Sequence, residues 1–186
     1  MNKYEFDFRY GWVSLTFRAL ESGFESMRKK AAAESWFDGI WQLEHAESIL
    51  DIAFVTAQVY ILGTAEDANK IRESNGKNRK HKIDHYADDP KPLPSGTSRI
   101  LLINSIANYY KHHDEWSPWP TNSSTTTLAK VGIDETREFP CYEAAKILWD
   151  ENDIENVDNL MSIISEWRKY ILSKVNRPFT PAANAA

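Results

Sequence analysis

In KYEFDFRY, residues 3–10, polar and aromatic positions exchange at almost every step, the period of a strand or of a short extended N-terminal arm. From Gly11 the period lengthens. Trp12, Leu15, Leu20, Phe24 and Met27 return about once per helical turn, and the segment closes on Arg28, Lys29 and Lys30, cations that suit a helix C-terminus. The strongest helical pattern runs from about Ala32 to Leu62. Its second half, ILDIAFVTAQVYIL, is apolar almost all round, which marks a central helix packed on several sides. Gly63 is placed to end it. Residues 64–97 read as a long polar loop that holds KNRKHK at 77–82 and the prolines Pro90, Pro92 and Pro94.

A second buried helix is predicted from about Ser98 to His113, with Thr97 as its N-cap and Pro118 and Pro120 limiting its extension. TNSSTTT reads as loop. Pro140 opens a short helix that runs to about Asp150. The last helix, about Ile154 to Val175, carries Val157, Leu160, Met161, Ile164, Trp167 and Ile171 on one stripe. The pattern predicts an all-α helical bundle with two central buried helices: a single helical domain over residues 1–176, followed by a loose tail over 177–186.

Composition changes this picture little. A chain of 186 residues, 42% hydrophobic and 26% charged, can bury a sizeable core. Seven Trp, eight Tyr and eight Phe point to a thick core, a sticky interface, or both. The formal charge of −5 argues against coating nucleic acid by bulk attraction and leaves room only for a local basic patch. One cysteine, Cys141, excludes an intramolecular disulfide and a Cys-rich zinc cage. No apolar run of signal-peptide or membrane-spanning length stands out, so a cytoplasmic protein without membrane contact is expected.

Candidate chemistry lies on the two oiliest helices. On a helical wheel Asn104, Asn108, Lys111, His112 and Glu115 share about a third of the circle, while His113 falls beside Leu102, Ile106 and Tyr109. Glu44, Glu47, Asp51 and Gln58 form a similar arc on the central helix. Buried polar groups need partners, so the two stripes are expected to face each other, with Asp51 or Glu47 holding Lys111 or His112. A carboxylate beside His112 would raise its pKa and fix its ring, which prepares a general acid or base.

The segment NYYKHHDEW, residues 108–116, adds a resemblance. An N-x-x-x-H motif late in a helix, inside a small all-α domain with an acidic partner helix, resembles the HEPN superfamily. Its members are helical bundles, often dimeric, and many cut RNA without metal. Their signature is an arginine followed four to six residues later by histidine. Here Asn108 and His112 match, whereas Ala107 stands where the arginine belongs, and neither Ser105 nor Ile106 supplies it.

The resemblance implies an RNA-binding protein, in its active form a metal-independent endoribonuclease, of a prokaryotic stress or phage-defence system. In it His112 transfers protons, Lys111 stabilises phosphate charge, Asn108 positions, and Asp51 or Glu47 orients them. Lys77, Arg79, Lys80 and Lys82 of the basic run would meet RNA phosphates. No cofactor is expected, and the partner is RNA, a second copy, or another protein.

A reading of a different class is a non-catalytic helical interaction module, such as an inhibitor, antitoxin or adaptor. Its acidic balance and aromatic load would serve a protein interface. His81 and His85 stand at i, i+4 and would suit a metal only on a helix, but their cationic surroundings repel one, so no metal site is expected. Trp116 and Trp119 would either stack bases or plug the bundle end, and Cys141, with no activating base, reads as buried filler.

Overall fold

The computed structural model describes residues 7–34, 39–116, 118–149 and 154–176. Among them are seven α-helices and no strand: α1 Phe8–Ala33, α2 Gly39–Ser74, α3 Lys82–Tyr86, α4 Arg99–His112, α5 Ser123–Lys130, α6 Pro140–Leu148 and α7 Asp158–Val175. A 3-10 turn, His113–Glu115, follows α4. The all-α bundle read from the hydrophobic pattern is the observed fold.

Helix α2 is the axis, and α1, α3, α4, α6 and α7 all pack on it. Phe17 and Phe24 from α1, Leu50, Phe54 and Ile61 from α2, Ile100, Leu102, Ile103 and Ile106 from α4, and Trp167 from α7 are fully buried between them. Each such side chain contributes about 1.5–3 kcal/mol by leaving water. All six residues of the stripe predicted for the last helix are buried.

A second lock is ionic. Arg168 of α7 is buried, donates from Nη1 to Asp67 at 2.8 Å and to Thr64 at 3.2 Å, and meets Asp7 through Nε at 3.1 Å. Arg9 reaches the same Asp67 at 2.6 Å, and the Tyr60 hydroxyl donates to Asp7. Two arginines and two aspartates thus tie α1, α2 and α7 with their charges balanced, the condition under which buried ions are tolerated.

Several expectations are corrected. Residues 8–10 are not an extended arm; they form the first turn of α1, where the Asp7 side chain accepts from Arg9 N at 3.2 Å. Residues 3–6 of that arm lie outside the described residues. Helix α2 does not stop at Gly63 but runs on to Ser74, because Ala65, Ala68 and Ile71 continue the buried face while Asp67 finds its two arginines. The glycine that ends α2 is Gly76, with φ 70°, where Lys77 N bonds back to Arg72 O at 2.8 Å.

The expected long loop over 64–97 is therefore largely structured. Asn69 clamps the backbone of Lys80 on both sides, at 2.9 and 3.0 Å, and its Oδ1 also meets His85 Nε2 at 3.0 Å. His85, Tyr86 and Leu93 are buried. The N-cap of α4 is Ser98 rather than Thr97: its hydroxyl accepts from Ile100 N and Leu101 N at 3.1 and 3.3 Å.

TNSSTTT is not loop but the start of α5, opened by a reciprocal capping box between Asn122 and Thr125. Helix α6 starts at Pro140 as predicted and ends at Leu148, and α7 begins at Asp158 rather than Ile154. Asp150 and the tail 177–186 lie outside the described residues. Among the described residues one helix, α2, is long and apolar enough over an 18-residue window to cross a membrane by length and composition, contrary to expectation, and half of that window is buried in the bundle.

Candidate functional site

The polar stripes of the two central helices do meet, through Gln58. Its amide nitrogen donates to Asn104 Oδ1 at 3.0 Å and Asn108 Oδ1 at 2.8 Å, and its Oε1 accepts from Lys111 Nζ at 2.7 Å. The orientation follows from donor and acceptor inventory: an ammonium only donates, so Gln58 must turn its oxygen to Lys111 and its nitrogen to the asparagines. Asn108 then donates onward to Ser124 Oγ of α5 at 3.1 Å.

This network floors a groove of about 340 Å³ between α2, α3, α4 and α5. Val59 and Leu62 edge it from α2, His81, Lys82, Ile83 and Tyr86 from the α3 side, and Ser123 from α5. No carboxylate is among the lining residues, while two lysines and a histidine are. Partial burial, and secondarily the Lys82 ammonium, holds Lys111 below the usual lysine range. His81 caps α3: its Nδ1 accepts from Ile83 N at 3.4 Å, which places the proton of the neutral ring on Nε2.

Asn108 and Lys111 are thus brought together, and of Lys77, Arg79, Lys80 and Lys82 only Lys82 joins them. Arg79 is committed to Glu66 at 2.5 Å and Glu73 at 3.1 Å, and Lys77 and Lys80 are not among the groove residues. His112 does not join the stripe. It is exposed and meets Glu115 of its own turn at 3.4 Å. The physical reason is local: the backbone leaves helical geometry at His112, with φ −129°, and tightens into the 3-10 turn, so the helical-wheel angle no longer applies there. His113 is exposed as well, its Nδ1 on Tyr110 O at 2.7 Å and its ring stacked on Tyr110. Trp116 and Trp119 pack edge to face with each other and against Tyr109.

Glu47 and Asp51 hold neither Lys111 nor His112. Glu47 accepts from the backbone nitrogens of Cys141 and Tyr142, each at 2.7 Å, and so closes the N-terminus of α6. Asp51 lies beside it, and the buried Cys141 sulfur is within 4.8 Å of both carboxylates. Burial pushes Glu47 up to about 7 and Asp51 up to about 6, and it raises the thiol well above its ordinary value.

Glu47, Asp51 and Cys141 are the group of metal-ligating types found close together among the described residues, with ligand atoms within 4.8 Å. The two bonds of Glu47 to the α6 backbone, with Asp51 and Cys141 packed beside it, make the cluster a helix clasp. The expected i, i+4 histidines separate: His81 is exposed, while His85 is buried on Asn69, and burial lowers its pKa.

The sequence placed Gln58 and Asn104 on the stripes without a role, offered His81 only as a metal ligand, and gave no sign of Ser123. The usable signal was Asn104, Asn108 and Lys111 at i, i+4 and i+7 of an oily helix. No protein-family model, curated protein or solved structure matches the chain.

Proposed function

We propose that this protein binds RNA through the groove between α2, α3, α4 and α5. One observation carries the reading: in a chain of formal charge −5, two lysines and a histidine line a groove that has no carboxylate among its lining residues. That arrangement favours phosphate oxygens, which fix the ligand's position. Asn104, Asn108 and Ser123 add the amide and hydroxyl groups that a ribose 2′-hydroxyl can use. The resemblance of the 107–112 segment to RNA-cutting helical bundles supports the same ligand class.

The test is a binding isotherm with a labelled single-stranded RNA at several salt concentrations. Lys82→Ala and Lys111→Ala are each expected to weaken binding and to lower the slope of log K on log salt by about one. Lys77→Ala, outside the groove, is expected to change neither by as much. Unchanged binding in both groove variants would remove the reading, and no binding at all would favour the interaction-module alternative.

A cleavage form of this function is favoured by His81. Its 3.4 Å bond from Ile83 N is long; with that bond released and the ring proton on Nδ1, Nε2 carries the lone pair that takes a proton, at a position lining the same groove as Lys111. Cleavage through a 2′-hydroxyl needs a group that takes its proton and returns one to the leaving 5′ oxygen, here the same imidazole, and a cation beside the charged phosphorane. RNA cutting in EDTA is then expected to vanish in His81→Ala and to persist in His112→Ala. The opposite outcome would return the proton-transfer role to His112.

A further inference from the structure

Helix α2 is apolar on two sides, and the bundle buries one of them while leaving most of the other exposed. Toward the core it presents Leu50, Phe54, Ala57, Ile61, Ala65 and Ala68. Nearly opposite, at about 100° per residue, lie Ile52, Val55, Val59 and Leu62. Ile52 is 47% exposed, Val59 48% and Leu62 49%, with Val55 half-buried between them. From these observations we infer that this outward stripe is a self-association seam, closed in solution by the same stripe of a second copy of this chain.

The spacing identifies the partner. Steps of three, four and three residues make Ile52 and Val59 the a positions and Val55 and Leu62 the d positions of a heptad. β-Branched residues at both a positions, with leucine at one of the two d positions, lean toward two parallel strands. Such a seam is complementary to itself, which is what a two-fold interface requires. No charged residue interrupts α2 between Asp51 and Glu66, so nothing along the seam repels its own image.

Helix α1 widens the face. Arg9 lies against Gly63 and Ile49 against Gly23, which sets the two helices antiparallel with Trp12 and Leu15 level with the Ala57–Tyr60 turn. Phe8 is 78% exposed and Leu15 69%, at one and two helical turns' spacing with Trp12 between them. Among the described residues, every large hydrophobic side chain that is exposed belongs to α1 or α2.

The area agrees with a dimer. An aromatic side chain of about 200 Å² left half or more exposed offers about 100–150 Å², and a half-exposed aliphatic one about 50 Å². Phe8 and Trp12 with Leu15, Ile52, Val55, Val59 and Leu62 then give about 500 Å² per copy, which reaches the ~1,000 Å² total of a small specific interface. A bilayer fits less well: a span needs about 20 apolar residues free of other protein, and half of the α2 window is already covered by neighbouring helices. Val59 and Leu62 also edge the groove, so the second copy would border it. The seam itself is argued without reference to RNA.

Sedimentation equilibrium of the full chain up to about 100 μM is the test. The expected result is a species of twice 21.4 kDa. Val59→Asp and Ile52→Asp, both on the outward side, should return it to the monomer with the helical circular-dichroism signal and melting retained. The dissociation constant should rise at least a hundredfold, whatever the RNA result. Persistent monomer in the wild type would overturn the inference, as would a dimer indifferent to both substitutions. A monomer that instead pellets with neutral phosphatidylcholine vesicles, and loses this with Val59→Asp, would assign the face to a membrane and equally overturn it.

Discussion

Gly63 stands in the middle of α2 because Arg9 lies over it: a Cβ at that position would meet Arg9 Cδ and Cζ at 2.7 Å. Alanine would favour the helix by about 1 kcal/mol, yet it would push the guanidinium away from Asp67, a carboxylate shared with buried Arg168. The second effect should win, since losing one partner of a mostly buried charged network costs more than a helix propensity. Gly63→Ala is therefore expected to lower stability by about 1–2 kcal/mol in urea denaturation; a gain would mean that Arg9 moves aside without penalty. At this scale the sequence discloses residue types and faces but not backbone partners. Asn108 and Lys111 were legible because side chains recur at helical spacing. The partners of Glu47 were not, because the N–H groups that open α6 leave no mark in the residue letters. His112 was misplaced for a related reason, a change of backbone geometry at the last residue of α4.

Elements show the same division between pattern and capping. Helix α5 begins SSTTT, residues of middling helix propensity that favour caps and turns, and a reading of composition made it loop. What forms it is the Asn122–Thr125 box, together with burial of Ser124, Thr125 and Leu128. Asn122→Ala should cost about 1 kcal/mol and speed hydrogen exchange selectively in α5. It should also loosen the groove, since Ser124 receives the Asn108 amide. If α5 amides exchange no faster in the variant, burial rather than the cap forms the helix. For α2 the opposite held: the apolar pattern was plain, and its excess was the informative part. An oily surface almost all round reads as burial on all sides, whereas here one side is core and the other an open heptad seam. Its end was assigned to the wrong glycine, because only the φ of 70° at Gly76 distinguishes a terminator from a glycine that makes room.

At the scale of the whole molecule, the clasp between α2 and α6 couples stability to pH. Glu47, raised to about 7, and Asp51, raised to about 6, bind protons more tightly in the fold than in the unfolded chain. Their contribution is full at low pH and is lost as pH climbs from about 4 through 7, a change of a few kcal/mol for the pair. Groups around them join the balance: Cys141 remains a thiol, Tyr109 is raised mainly by burial, and His113 favours the Asp51 anion. Two other sets act in the opposite sense. Asp88, Asp89 and Glu166, held low by Lys174, Arg99 and Lys91, lose stability only as pH falls through the carboxylate range. His85, lowered by burial, adds stability as pH rises toward 6.5. Because these contributions overlap, the discriminating measurement is a difference. Urea unfolding of wild type and Glu47→Gln across pH 5 to 8 should show wild type losing stability with rising pH more steeply than the variant, which cannot ionise there. Parallel curves would mean that the two α6 N–H groups hold Glu47 ionised throughout, overcoming its burial. Stability would then be set from this position by hydrogen bonding alone, and the clasp would not respond to pH.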